Sequence, residues 1–191
     1  MATIFESIKA GDVDAVRSAV ADDPAAAAAR DGNGLSAVRA ALYAHKHDVA
    51  DALLEAEPDL DVFDAAAAGD VDRLTALLDG DDDLAGAWSE DGFTPLHLAA
   101  FFDRGPAVRL LLDRGADVGA VARNPMKVQP LHSAVAADSL DVVAALLVAG
   151  ADPNARQEGG FTPLMGAAKN DPEGDMVRLL MDHGAEESAV E

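Results

Sequence analysis

Histidine and carboxylate are the side chains in this 191-residue sequence with the potential for acid–base or metal chemistry: five His, 35 Asp and Glu, and no cysteine. His45 and His47 stand one residue apart with Asp48 beside them, a weak metal grip at best. A third ligand at a useful spacing is missing, so a solvated loop between helices is expected there. The run Asp79-Gly80-Asp81-Asp82-Asp83 alternates carboxylates like the start of a calcium loop, which also needs glycine at its sixth position and glutamate at its twelfth. The twelfth is Glu90 but the sixth is Leu84, so the pattern half-fails and a charged turn after Leu77-Leu78 is expected. Carboxylate pairs in so Asp-rich a chain carry little weight for acid–base catalysis. Nucleophile-elbow, zincin, P-loop and dinucleotide-binding patterns are all absent. The reading is therefore no catalytic residue, no metal and no cofactor. His97 and His132 remain, each following a Pro-Leu pair.

Those two histidines belong to elements that repeat. From Asp91 to Ala120, Asp91-Gly92 makes a turn and Thr94 offers a hydroxyl to cap a helix that opens at Pro95, where a missing N–H does no harm. Leu96, Ala99 and Ala100 give this helix a small apolar face. A second helix carries Ala107, Val108, Leu111 and Leu112 on one side, and Gly115 ends it in the left-handed conformation. Gln129-Pro130-Leu131-His132 and Phe161-Thr162-Pro163-Leu164 echo the first helix start, and Gly150-Ala151-Asp152 and Gly184-Ala185 echo the end. The prolines are spaced by 35 and 33 residues and the glycines by 35 and 34. A two-helix unit this thin hides its apolar faces only by stacking on neighbours. With two landmarks recurring in register, the chain resembles an ankyrin-repeat protein, whose unit is about 33 residues long with a T-P-L-H signature.

The resemblance implies an all-α solenoid of stacked helix-turn-helix units joined by short fingers, here a single domain over residues 1–185. Six units are expected at 2–30, 31–61, 62–90, 91–123, 124–156 and 157–185, with a polar tail over 186–191. In the N-terminal half the echo is longer: Ala10-Gly11-Asp12-Val13-Asp14 recurs 58 residues on as Ala68-Gly69-Asp70-Val71-Asp72, and Ser36 precedes Thr94 by the same interval. Residues 62–90 form a short, degenerate unit and a candidate weak joint. Two extra residues near Ala122-Arg123, together with Pro125, predict an irregular finger, and Asn170–Asp175 predicts an insertion between the last two helices. The resemblance also implies that His97 and His132 bond to backbone and tie adjacent units together. Arg39 and Met165 hold the equivalent positions, so no row of metal ligands exists.

Composition narrows the function. Half the residues are apolar but only 4% are aromatic, so the core is built from Ala, Leu and Val. The net charge of −21 repels phosphate backbones and anionic membranes, which argues against nucleic acid and lipid partners. The acidic bias fits function, salt adaptation or genome composition. No apolar run is long enough for a signal peptide or a membrane span, and with no cysteine present a cytoplasmic setting is expected.

The resemblance places Trp88 and Phe93 at a finger and Phe101-Phe102 at the end of an inner helix, on the face the family uses for binding. Glu90, Asp91 and Arg104 flank them as a charged rim, and Val128, Phe161 and Lys169 hold matching positions further along. Two readings stand for these aromatics: the core of an interface, or packing between units. Thr94, Pro95, Gly115, Pro130, Gly150, Thr162, Pro163 and Gly184, with the two histidines, are expected to be structural. The function expected is a non-catalytic, monomeric scaffold that binds a protein carrying a basic segment. The alternative is a cation- or small-molecule-binding sensor resting on Asp79–Asp83 and His45/His47, and a weaker third is mimicry of nucleic acid by the negative surface. The resemblance is to the stand-alone prokaryotic type, whose members are commonly cytoplasmic proteins.

Overall fold

A computed structural model describes residues 3–187; Ala2 of the expected first unit and residues 188–191 of the expected tail lie outside them. The described residues form twelve α-helices in six pairs: α1 (Ile4–Ala10) with α2 (Val13–Asp22), α3 (Ala37–Tyr43) with α4 (His47–Leu54), α5 (Val62–Ala68) with α6 (Val71–Gly80), α7 (Pro95–Phe101) with α8 (Gly105–Asp113), α9 (Pro130–Ala136) with α10 (Leu140–Val148), and α11 (Pro163–Asn170) with α12 (Asp175–Asp182). No strand forms among them beyond one isolated bridge between Arg30 and Ser36. The odd-numbered helices stack in sequence as an inner layer, and the even-numbered ones form an outer layer behind them. This is the all-α solenoid expected.

Local chemistry sets the helix starts. Thr3, Ser36, Asp61, Thr94 and Thr162 each accept a backbone N–H in the first turn of an inner helix. Asp12, Asp70 and Ser139 do the same for outer helices. Pro95, Pro130 and Pro163 sit at the first helical position. The residue after each of the first five inner helices, or the next one, is left-handed: Gly11, His45, Gly69, Asp103 and Asp138. One position is corrected: His47 is the first residue of α4 and not part of the preceding loop, because Lys46 already occupies the N-cap and Asp48 complements the positive end of the helix.

The buried apolar residues run as one continuous core from Ile8 to Leu180. Alanines 65, 66, 67, 99 and 100 let the inner helices approach closely, while Leu53, Leu74, Leu78, Leu111 and Leu146 fill the space behind them. In the outer layer α4 and α6 meet only sparsely. A cleft of about 300 Å³ lined by Leu54, Pro58, Leu60 and Arg73 opens beside that seam.

Fingers precede the inner helices. Three close through a backbone hydrogen bond across four residues: Asp31 N to Leu35 O, Ser89 N to Phe93 O, and Gln157 N to Phe161 O. The finger before α9 closes from Ala122 N to Val128 O, two residues longer, as its extra residues predict. It is also tied to its neighbours, Arg123 N donating to Gly92 O at 2.8 Å and Glu158 N to Met126 O at 3.0 Å. Gly92 is fixed by two demands: its φ is +81°, and a Cβ there would sit 2.8 Å from the Arg123 backbone. The segment joining α4 to α5 closes no such hairpin, so the finger before α7 leans directly on the one before α3.

Candidate functional site

The inner helices and the fingers enclose an apolar groove of about 340 Å³. Leu98 and Phe101 of α7 and Ser133 and Ala136 of α9 line its helix side. Phe93, Met126 and Val128 line the finger side, Tyr43 of α3 lies toward one end and Gln157 toward the other. The register explains the convergence: Tyr43, Phe101 and Ala136 hold the same position in three successive finger-bearing units.

Two histidines form part of the lining, and both are spoken for. Thr94 N donates to His97 Nδ1 at 3.3 Å, and His97 Nε2 lies 3.0 Å from the Val128 carbonyl, the arrangement of a neutral ring that accepts at one nitrogen and donates at the other. Burial lowers the His97 pKa to about 4 against the pull of the backbone bonds to Val128 and Ala120. His132 repeats the pattern, accepting from Gln129 N at 3.2 Å and reaching the Phe161 carbonyl at 3.3 Å, and burial lowers its pKa too. The Tyr43 hydroxyl donates to Asp91 at 3.2 Å and is pushed well above the ordinary tyrosine range by burial first and then by that carboxylate. Neutral imidazoles with both nitrogens occupied and an un-ionisable phenol leave nothing in the groove poised for proton transfer near neutrality.

The residues expected at the site do not all reach the groove. Phe93, Phe101 and Val128 line the groove. Phe102 packs beside it, with ring centroids 5.1 Å from both Tyr43 and Phe101, and both phenylalanines are half-buried. Phe161 is half-exposed and lines a second, smaller groove of about 210 Å³. Others are committed within the chain. The Arg123 guanidinium lies 4.2 Å over the Trp88 ring, Asp91 holds Tyr43 and Ser89 and lies 3.6 Å from Arg39, and Arg104 Nε donates to the Ala67 carbonyl at 3.0 Å. The Glu90 carboxylate rests on Gly34. Lys169 is exposed on α11, outside the lining of either groove. Met126 and Gln157 joined the lining unannounced. Met126 sits in the lengthened finger, where counting from the repeat gives no equivalent.

Away from the groove, two of the carboxylates weighed for metal have other partners. Asp79 pairs with Arg114 at 2.7 Å, and Asp81 caps the turn by accepting from Asp83 N at 3.0 Å. The His45 and His47 rings stand 6.5 Å apart. No cluster of three or more potential metal ligands forms among the described residues. A buried ion pair went unforeseen. Asp64 accepts from Arg39 Nε at 2.7 Å, from Ser36 Oγ at 2.6 Å and from Arg30 at 3.2 Å, with Arg39 and Asp64 almost fully buried. Burial pushes the Asp64 carboxyl up, Asp61 adds to that, and Ser36 and Arg39 oppose it. Arg39 and Asp64 occupy the same first-turn position as His97, and that register was the signal available in the sequence.

Comparison with known proteins follows the same register. A family model described as Ankyrin repeats (3 copies) matches residues 62–157 and 120–190. The Neurogenic locus Notch protein of Drosophila melanogaster is 41% identical over 108 residues, 56% of this chain and 4% of that protein. Neurogenic locus notch homolog protein 4 of Homo sapiens is 41% identical over 120 residues, 62% of this chain and 6% of that protein. Neurogenic locus notch homolog protein 2 of Homo sapiens is 44% identical over 101 residues, 52% of this chain and 4% of that protein. The chain therefore spans only a small part of the length of these relatives.

Proposed function

Because the chain belongs to the ankyrin-repeat family, whose repeats generally act as protein–protein interaction modules, we propose that it is a non-catalytic scaffold that takes a partner protein against its inner helices and fingers. The observation that carries this reading is the apolar groove of about 340 Å³ between fingers and helices. It is large enough for a bulky side chain, and much of its lining, Leu98, His97, His132 and Ser133, is buried in the stack. A preformed surface loses little conformational freedom on binding, which favours affinity. Three polar groups of the groove, Tyr43, His97 and His132, are already paired inside the chain, which suits a receptor for apolar groups better than a catalyst. A monomer acting in the cytoplasm completes the proposal, in keeping with a sequence free of cysteine.

The test is the double substitution Phe101→Asp/Phe102→Asp, with circular dichroism to confirm the helices. Truncating an interface anchor typically costs 2 kcal/mol or more, so partner affinity is expected to fall by at least about 30-fold. A folded double variant that keeps every partner of the native chain would rule the surface out.

A further inference from the structure

The main groove does not end at Gln157. The second groove, lined by Phe161, Pro163 and Gly166, shares His132, Ala136 and Gln157 with the first. The two are sockets on one track, one unit apart along the stack. Resting on the reading of this face as the partner site, we propose that the track binds an extended, basic peptide segment. That segment sets a large apolar side chain in the first socket and a smaller one, about three residues further on, in the second.

The spacing follows from geometry. Packed helices sit about 8–10 Å apart and an extended chain advances about 3.3 Å per residue, so sockets on neighbouring units are matched by side chains about three residues apart. Volumes of about 340 and 210 Å³ take single side chains of unequal size. A helix, advancing about 1.5 Å per residue, would meet the same two sockets only with anchors about seven residues apart. Met126 and Phe161, at 52% and 50% exposure, lie on the finger side of the two sockets and leave apolar surface open to a ligand.

The charge of the segment follows from what surrounds the track. Asp103 and Asp138 are exposed at the ends of α7 and α9, and Asp171 is exposed after α11. Each adds to the partial negative charge of a helix C-terminus. Of the nearby cations, Arg39 and Lys127 are neutralised by Asp64 and Glu158, whereas Arg104 on the Ala67 carbonyl, Arg123 over Trp88 and Lys169 exposed on α11 are positive charges that the acidic excess of the chain outweighs. In a chain of net charge −21, a peptide bearing Lys or Arg around its anchors gains attraction where an acidic one is repelled.

The experiment is selection of displayed random peptides of about twelve residues on the full chain, followed by titration of the best synthetic peptide. Enriched sequences are expected to be net positive, with Leu, Met, Ile or Phe at one position and Ala or Val about three residues away. Ala136 is exposed and belongs to both sockets, so Ala136→Arg should weaken the peptide by at least about tenfold, while Val148→Arg on the outer layer changes nothing. Raising salt from about 50 to about 300 mM should weaken it severalfold. If Ala136→Arg misfolds, Ala136→Leu fills the same space and gives the same readout. Acidic winners, anchors about seven residues apart as on a helix, or indifference to Ala136 overturn the proposal. Failure to enrich any peptide also overturns it, yet leaves the scaffold reading standing if Phe101→Asp/Phe102→Asp still releases the native partner.

Discussion

At the scale of single residues, the same position in the first turn of the inner helices does two different jobs along the middle of the stack. In α7 and α9 it is a neutral histidine bonded to the next finger, and in α3 and α5 it is the buried pair Arg39–Asp64. The histidines make stability depend on pH. With the folded pKa of His97 lowered to about 4 from the ordinary 6.5, the unfolded chain binds more protons between those values. Its contribution is therefore complete above about pH 6.5 and is lost as pH falls toward 4. The shift corresponds to about 3 kcal/mol, and His132 acts in the same direction. Urea titrations at intervals between pH 7 and 5 are expected to show falling stability, with a shallower slope in His97→Gln; parallel slopes would contradict this origin. The ion pair behaves differently. Asp64→Ala leaves Arg39 charged and buried, so a loss of about 3–5 kcal/mol is expected in the same titration, and a loss under about 1 kcal/mol would mean the pair is solvated. The sequence announced the histidines through a repeated motif. It hid the ion pair, because Arg39 and Asp64 depart from that motif in compensating ways that show only when their units are placed side by side. For the same reason Asp91 and Arg104 read as a free rim, although they are engaged with Tyr43 and Ala67.

At the scale of elements, caps and periodic apolar residues made the helices legible, as with α7, which opens at Pro95. The two-residue excess in the finger before α9 was legible by counting, but its consequence for the groove was not, since Met126 reaches the lining only through the loop's path. The third helix pair is the informative element. Its inner helix stacks tightly on alanines 65, 66 and 67, while its outer helix meets α4 sparsely beside an open cleft. In a stacked array, stability is roughly a sum of unit and neighbour-interface terms, so this seam is the weak one. Hydrogen exchange should show residues 62–90 opening earlier than 91–156. Equal protection across both stretches would show that the inner layer alone sets the cooperativity.

At the scale of the whole molecule, thin units that stack into one core were legible from the period itself. The groove proposed as the binding face was legible only in part. Phe93, Phe101 and Val128 fell where the repeat places them, whereas the groove's extent depends on how neighbouring fingers lean together, which involves contacts far apart in sequence. Charge acts at this scale as well. An excess of 21 negative charges repels itself across a surface about a Debye length deep, so screening should stabilise the fold. The melting temperature is expected to rise by several degrees between about 20 and about 500 mM sodium chloride, and a flat response would mean the charges are too dispersed to matter.

Whether partners meet the groove is read most directly by placing a photo-crosslinking amino acid at position 136, inside the groove, or at position 148, on the outer layer, and irradiating each in native lysate. Protein adducts are expected from position 136 and not from 148. Adducts from 148 alone, or equally from both, would contradict the assignment of the inner face as the binding surface.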